Sequence, residues 1–193
     1  MKKRFKKHLR MARYVVYKET LIDFKDHVWT FIGSFLGIAV IGFLNESRFA
    51  KTDTVFLIGS FGATAVLVFG IVNSPLAQPR NLIGGHVLSA LVGVTMHYLL
   101  PNEVWLSSAL AVSSSIVVMQ MTKTLHPPGG ATALIANIGS EKILGLGYWY
   151  VLNPVLSGVL ILLLIALLVN NRAPHRRYPS NKNWYKIWER KYR

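Results

Sequence analysis

Five long apolar runs constrain this chain more than any other feature of its sequence. They lie at about residues 28–44, 55–72, 82–100, 104–121 and 148–169. A helix needs about 20 mostly apolar residues to cross about 30 Å of hydrocarbon, and each run approaches that length. The sequence therefore predicts an all-helical protein that crosses a membrane several times.

Basic residues are concentrated at the two ends of the chain. Of 22 Lys and Arg, nine lie in residues 2–25 and eight in residues 172–193, and the net charge is +14. Because an excess of Lys and Arg favours the cytoplasmic side, both termini are predicted to be cytoplasmic and the number of crossings even. The remaining candidate is 128–139, which as a helix would rise only about 18 Å. We therefore predict about six transmembrane helices, one of them short or broken.

The same distribution divides the chain into three parts. We predict a basic amphipathic segment at 1–27, a transmembrane domain at 28–170 and a basic, aromatic tail at 171–193, with both end segments cytoplasmic. The location is expected to be a bacterial-type inner membrane, with the tails on anionic lipid at its cytoplasmic face. Tails that flank spans explain the charge, so nucleic acid is not an expected partner. Small residues at Gly33 and Gly37 favour a homo-oligomer.

Metal, cofactor and enzymatic chemistry are not expected. The chain has no cysteine, and its histidines are not spaced as a helical ligand pair. All eight Asp and Glu lie outside the clear apolar runs, so a membrane-embedded enzyme would lack an obvious general base. Any proton relay would have to use histidine.

An internal repeat appears when the sequence is shifted by 68 positions. The segment 62–65 then falls on 130–133 with identical residues, and 87–89 falls on 155–157, again with identical residues. If each half crosses the membrane three times, the halves form two inverted three-helix repeats. Secondary transporters built in this way place their binding sites at the repeat interface, on discontinuous helices.

The stretch "LHPPGGATAL", residues 125–134, is predicted to begin a broken helix at a binding site. Each proline disfavours helix at the residue before it, so His126 and Pro127 should be extended and a new helix should start at Pro128. Gly129 and Gly130 would leave open amides, and Thr132 a hydroxyl, for a small anion at the helix start. On this view Gly130→Val should block binding. The alternative is an interfacial loop followed by a helix-packing surface.

Further candidate residues lie in two other segments. "GSFGATA", residues 59–65, is the repeat mate and contributes Ser60 and Thr64. "NSPLAQPRNLIGGH", residues 73–86, contains Arg80, which could clamp a planar oxyanion or serve as a topological anchor. Its neutral polar residues could replace water around an anion or cap helices. His86 could pair with the His126 region if these helix ends converge, or be a packing histidine.

Together these three motifs resemble the HPP family of integral membrane proteins, which is named for the His-Pro-Pro carried here by residues 126–128. The similarity covers about residues 25–170. Members from cyanobacteria and chloroplasts are described as nitrite transporters, so the resemblance implies transport of a small inorganic anion with nitrite as the first candidate. The family is commonly described with four membrane helices, whereas the five apolar runs and the basic residues at both ends together indicate six. An anion channel and a non-transporting sensor or structural protein remain alternatives.

Overall fold

The chain folds into a helical bundle, described by a computed structural model for residues 24–48, 55 and 57–180, without a strand in these segments. The helices are α1 (Phe24–Arg48), α2 (Gly59–Ala65, continued by the π-helix Val66–Gly70), α3 (Pro79–Leu99), α4 (Val104–Met121), α5 (Pro127–Ile138), α6 (Glu141–Leu144) and α7 (Ser157–Asn170). A 3-10 turn (Pro75–Ala77) precedes α3, and a π-helix (Val151–Leu156) leads into α7.

Four segments of the described residues are long and apolar enough to cross a membrane: Lys25–Ser47, Pro79–Leu99, Val104–Met121 and Val151–Asn170. The predicted all-helical membrane fold is confirmed, but the run at 55–72 does not form a full span. Its helix begins at Gly59, after the extended Ile58, and ends before Ile71, where φ is −128° and ψ is 57°. Seven α-helical and five π-helical residues reach no more than about 18 Å.

The described part of the bundle therefore contains two helices of twelve residues, which we call the short helices, where the sequence predicted one. They occupy Gly59–Gly70 and Pro127–Ile138, which coincide when the chain is shifted by 68 positions. We call the end of the bundle at which α1 begins the near end. The carboxyl end of α2 lies there, because Gly70 lines a cavity with Asp26. The amino end of α5 lies there too, because His126 contacts Leu76. The two short helices thus run in opposite directions.

Glycines let the central helices approach closely. A Cβ at Gly93 of α3 would lie 2.6 Å from the carbonyl oxygen of Ala133 in α5, so the two backbones are in direct contact. Gly33 and Gly37 of α1 are covered within the chain by Phe69, and Gly37 also by Leu162. The surface that the sequence offered to a second copy is therefore occupied by the chain itself.

The segment that follows α7 folds back onto the near end. The Tyr178 hydroxyl donates to the carbonyl of Ala77 at 2.7 Å, and the Ser180 amide donates to the Gln78 side chain at 2.9 Å. Burial raises the pKa of the Tyr178 phenol, which keeps it a donor. Tyr178 is thus buried against protein, whereas the sequence placed residues 171–193 in a tail on anionic lipid. The rest of that tail and most of the amino-terminal segment lie outside the described residues.

Arg176 ties this segment to α1 and α2. Its Nε donates to Asp26 Oδ1 at 2.6 Å, one Nη donates to the Asp26 carbonyl and to Thr30 Oγ1, and the other donates to the Phe69 carbonyl at 3.1 Å. The side chain is only 6% exposed. The guanidinium therefore provides a donor to the Phe69 carbonyl near the end of the short helix α2, where carbonyl groups lack helical partners.

We expect Arg176→Gln to lower the thermal unfolding midpoint of the detergent-solubilised protein, because it removes a charged donor from several buried acceptors. A loss of about 2 kcal/mol is reasonable for one partner of a partly buried charged network. Arg177→Gln, which removes the same charge from an exposed neighbouring position, is the matched control. Equal melting of the two variants would show that the Arg176 contacts do not stabilise the fold.

Candidate functional site

The two short helices meet at a group of buried polar side chains, which we call the His–Thr cluster: Thr64 of α2, His86 of α3, His126 at the start of α5 and Thr132 of α5. All four side chains are 0% exposed. His86 is seven residues into α3, which places it about 10 Å from the near end. The cluster therefore lies inside the part of the bundle that is predicted to be in the membrane.

His86 connects the two short helices through its ring nitrogens. Its Nε2 lies 2.7 Å from Thr64 Oγ1, and its Nδ1 lies 2.7 Å from Thr132 Oγ1. Thr64 and Thr132 coincide when the sequence is shifted by 68 positions. One histidine thus bridges two threonines that coincide at this shift.

His126 completes the cluster from the near end. Its Nε2 is 3.2 Å from Thr64 Oγ1, its Nδ1 is 2.8 Å from the Leu76 carbonyl oxygen, and its ring centroid is 4.9 Å from that of His86. The helix ends therefore converge. This was the condition under which His86 was expected to pair with the His126 region.

The loop before α5 positions His126. Just after α4, Lys123 has a positive φ of 56°. The Thr124 amide donates to the Met119 carbonyl at 2.8 Å, which is the pattern of a Schellman ending. His126 is extended, as predicted, but α5 begins at Pro127 and not at Pro128. Both prolines fit the first turn of a helix, where amides need no helical partner.

Gly129 and Gly130 face different surroundings, although the sequence treated them alike. The Gly129 amide is not open to a ligand, since it donates to the His126 carbonyl at 2.8 Å. A Cβ at Gly129 would lie 2.8 Å from the Gly85 carbonyl oxygen, whereas one at Gly130 would meet only Val112, at 3.9 Å. Gly130 and the exposed Pro127 line an apolar groove beside α4. Gly129 is therefore the tightly packed position.

Arg80 lies at the near end and its only hydrogen bond within the described segments runs to the carbonyl of Thr122, at 2.7 Å. Its neighbour Asn81 donates to the Leu125 carbonyl at 2.7 Å. Ser74 caps the 3-10 turn, and Gln78 donates to the carbonyls of Val72 and Ser74. These side chains hold the loops around α3 and are not part of the His–Thr cluster.

Two serines beside the cluster have no hydrogen-bond partner for their buried hydroxyls. Ser60 lies one turn from Thr64, and Ser89 lies one turn from His86, against Gly129. Ser60 was a candidate from the sequence, whereas Ser89 was not. Its spacing of three residues from His86 on one helix could have identified it. The Tyr150 hydroxyl donates to the Thr132 carbonyl at 3.1 Å. No sequence pattern could have identified Tyr150 as part of the site, because it lies among other aromatic residues.

The cluster has the chemistry of a small polar binding site. Imidazole and hydroxyl groups can both donate and accept hydrogen bonds, and an imidazole can also carry a positive charge. Within residues 24–48, 55 and 57–180, no group of three or more His, Asp and Glu lies close enough to hold a metal ion. The acidic residues of these segments, namely Asp26, Glu46, Glu103 and Glu141, all lie at or next to helix ends.

Comparison with known proteins identifies relatives over most of the chain. A family described as "HPP, transmembrane region" matches residues 19–179. Two proteins of Dictyostelium discoideum, each named only as a transmembrane protein, are 47% identical over 160 residues and 50% identical over 162 residues. Each alignment covers 81% of this chain but 51% and 56% of the relatives, so the chain spans about half their length. No solved structure matches.

Proposed function

Because this chain belongs to the HPP family of membrane proteins, we propose that it is a transporter that binds a small inorganic anion in the His–Thr cluster. The observation that carries the proposal is the bridge from Thr64 through His86 to Thr132. It joins two short, oppositely directed helices inside the bundle. Nitrite is the leading candidate because the family resemblance implies it.

The composition of the cluster supports a small oxyanion as the ligand. Its hydroxyl and imidazole groups can donate hydrogen bonds to oxygen, and protonated imidazole adds attraction. The unpaired hydroxyls of Ser60 and Ser89 lie on the same two helices as Thr64 and His86. None of the cluster residues is acidic, so no like charge in the cluster repels an anion.

The short helices also support a carrier mechanism. Residues equivalent in the repeat lie on both sides of His86, as expected when two inverted repeats share one site. Since the cluster is fully buried, an anion reaches it only when the helices rearrange. This favours a carrier over an open channel. A sensor would bind the anion without moving it, and an enzyme would convert it.

Nitrite uptake by purified protein in proteoliposomes tests the proposal. We expect uptake that saturates with nitrite concentration and exceeds that of protein-free liposomes, with nitrate and chloride as competing probes. Thr132→Val removes one cluster hydroxyl at nearly constant volume and should raise the half-saturating concentration. Flux that never saturates would indicate a channel, chemical conversion of the anion would indicate an enzyme, and absence of uptake for every anion would contradict transport.

Membrane topology provides a separate prediction. Because basic residues dominate both ends, the two termini should lie on the cytoplasmic side. A reporter fused after Arg193 should therefore be cytoplasmic, and one inserted within 45–53 should lie on the opposite side. Fluorescence and alkaline phosphatase fusions measure this directly. A carboxyl terminus on the opposite side of the membrane from the amino terminus would refute the even number of crossings.

A further inference from the structure

Every hydrogen of the neutral His–Thr cluster is already committed to a contact. The Leu76 carbonyl can only accept, so His126 carries its hydrogen on Nδ1, and its Nε2 accepts from the Thr64 hydroxyl. The Thr64 oxygen then accepts from His86 Nε2, and His86 Nδ1 accepts from the Thr132 hydroxyl. The carbonyls of their own helices that both hydroxyls also approach already accept helix amides. The cluster can therefore offer an anion a hydrogen only by giving up one of these bonds or by taking up a proton.

Two hydroxyls next to the cluster are not committed in this way. Ser60 and Ser89 are 0% exposed, and their oxygens have no hydrogen-bond partner within the described segments. A hydroxyl that is buried without a partner lowers the stability of a protein. Serines in helices can avoid this by bonding a carbonyl of the preceding turn, as Ser115 does with Val112 at 2.8 Å. Two unpaired hydroxyls beside buried imidazoles therefore point to a ligand that completes them.

Both serines lie on the side of the cluster that is away from the near end. Ser60 precedes Thr64 by one turn of α2, whose carboxyl end is at the near end. Ser89 follows His86 by one turn of α3, whose amino end is there. Since residues three or four apart share one face of a helix, the serines extend the surface on which Thr64 meets His86. A rise of about 1.5 Å per residue places Ser89 about 15 Å from the near end, which is the middle of a hydrocarbon layer about 30 Å thick.

We propose that Ser60 and Ser89 donate hydrogen bonds to the transported anion and extend its site from the His–Thr cluster to the middle of the bundle. This inference rests on the proposed transport function. A small oxyanion accepts hydrogen bonds on more than one oxygen, so it can bond hydroxyls from two helices and the His86 imidazole together. The two serines can donate to it without breaking any bond of the cluster.

Replacement of each serine with alanine tests this inference, because it separates anion binding from stability. Ser60→Ala and Ser89→Ala each remove a hydroxyl that has no partner in the anion-free protein. Their unfolding midpoints in detergent should therefore equal or exceed that of the wild type. Each variant should raise the half-saturating nitrite concentration for uptake into proteoliposomes about tenfold or more, as expected for loss of one hydrogen bond to an anion. Nitrite should also raise the unfolding midpoint of the wild type more than that of either variant.

Ser108→Ala is the matched control. Ser108 also has a buried hydroxyl without a partner in the described segments, but it lies on α4, which contributes no residue to the cluster, so this variant should transport nitrite like the wild type. Wild-type half-saturation in both Ser60→Ala and Ser89→Ala would overturn the inference and leave transport intact. Lower unfolding midpoints of these two variants with unchanged nitrite affinity would likewise overturn it and assign the hydroxyls to packing. Absence of uptake of every anion by the wild type would overturn both proposals.

Discussion

Replacing His86 with Gln is expected to reduce anion uptake by about a hundredfold or more while the protein still folds and inserts. His86 contacts the hydroxyls of both short helices at 2.7 Å, and glutamine cannot take up a proton. In the proposed anion complex, protonated His86 donates to the anion in place of these hydroxyls. Loss of two such charged hydrogen bonds to the anion, each worth about 1.5–3 kcal/mol, corresponds to a factor of this size. Uptake into proteoliposomes measures the effect.

The folded state should tolerate this change. Without His86, Thr64 can still donate to the Ser60 carbonyl at 3.0 Å, and Thr132 to the Pro128 carbonyl at 3.3 Å. The hydroxyls are therefore not left without acceptors, and the unfolding midpoint should change little. His97→Gln replaces a histidine at the other end of α3 and should transport normally. If His86→Gln transported at the wild-type rate, His86 would be a packing histidine.

The sequence predicted which residues form the His–Thr cluster better than it predicted the hydrogen bonds between them. Apolar length identified the helices, and the repeat at 68 positions identified Thr64 and Thr132 as equivalent. The breaks caused by Pro127 and Pro128 identified the short helix α5. The shortness of α2 could not be predicted, because its apolar run is continuous and Ile58 and Ile71 leave the helical conformation without a proline or glycine at either position.

Long-range polar contacts were the least predictable part. Nothing in a basic tail distinguishes Arg176 from its neighbour Arg177, yet only Arg176 reaches Asp26. Arg80 was a candidate ligand because of its charge, its planar guanidinium and its place between two apolar runs. Its position at the start of α3, beside the end of α4, gives it the Thr122 carbonyl as a partner. Such contacts depend on which helix ends meet, and local sequence does not contain that information.

Gly129→Ala and Gly130→Ala should change stability in opposite directions, although the two residues are adjacent in α5. A Cβ at position 129 would lie 2.8 Å from both the Gly85 carbonyl oxygen and Ser89 Oγ. The carbonyl cannot move without displacing α3, so the added methyl group should separate α3 from α5. Overpacking of this kind costs about 1–3 kcal/mol, more than the 0.5–1 kcal/mol that alanine gains over glycine within a helix.

Gly130→Ala adds the same group on the side of α5 that faces the groove beside α4, where Val112 is 3.9 Å away. It should keep transport and melt at the same temperature as the wild type or slightly above it. Gly129→Ala should melt at a lower temperature and lose most of its anion uptake. His86 Nδ1 and Thr132 Oγ1 lie 2.7 Å apart in the native protein, and separating α3 from α5 would break this contact. Thermal unfolding in detergent and uptake in proteoliposomes check both effects. Loss of anion uptake in Gly130→Ala with normal melting would place the anion in the groove beside α4 and not in the His–Thr cluster.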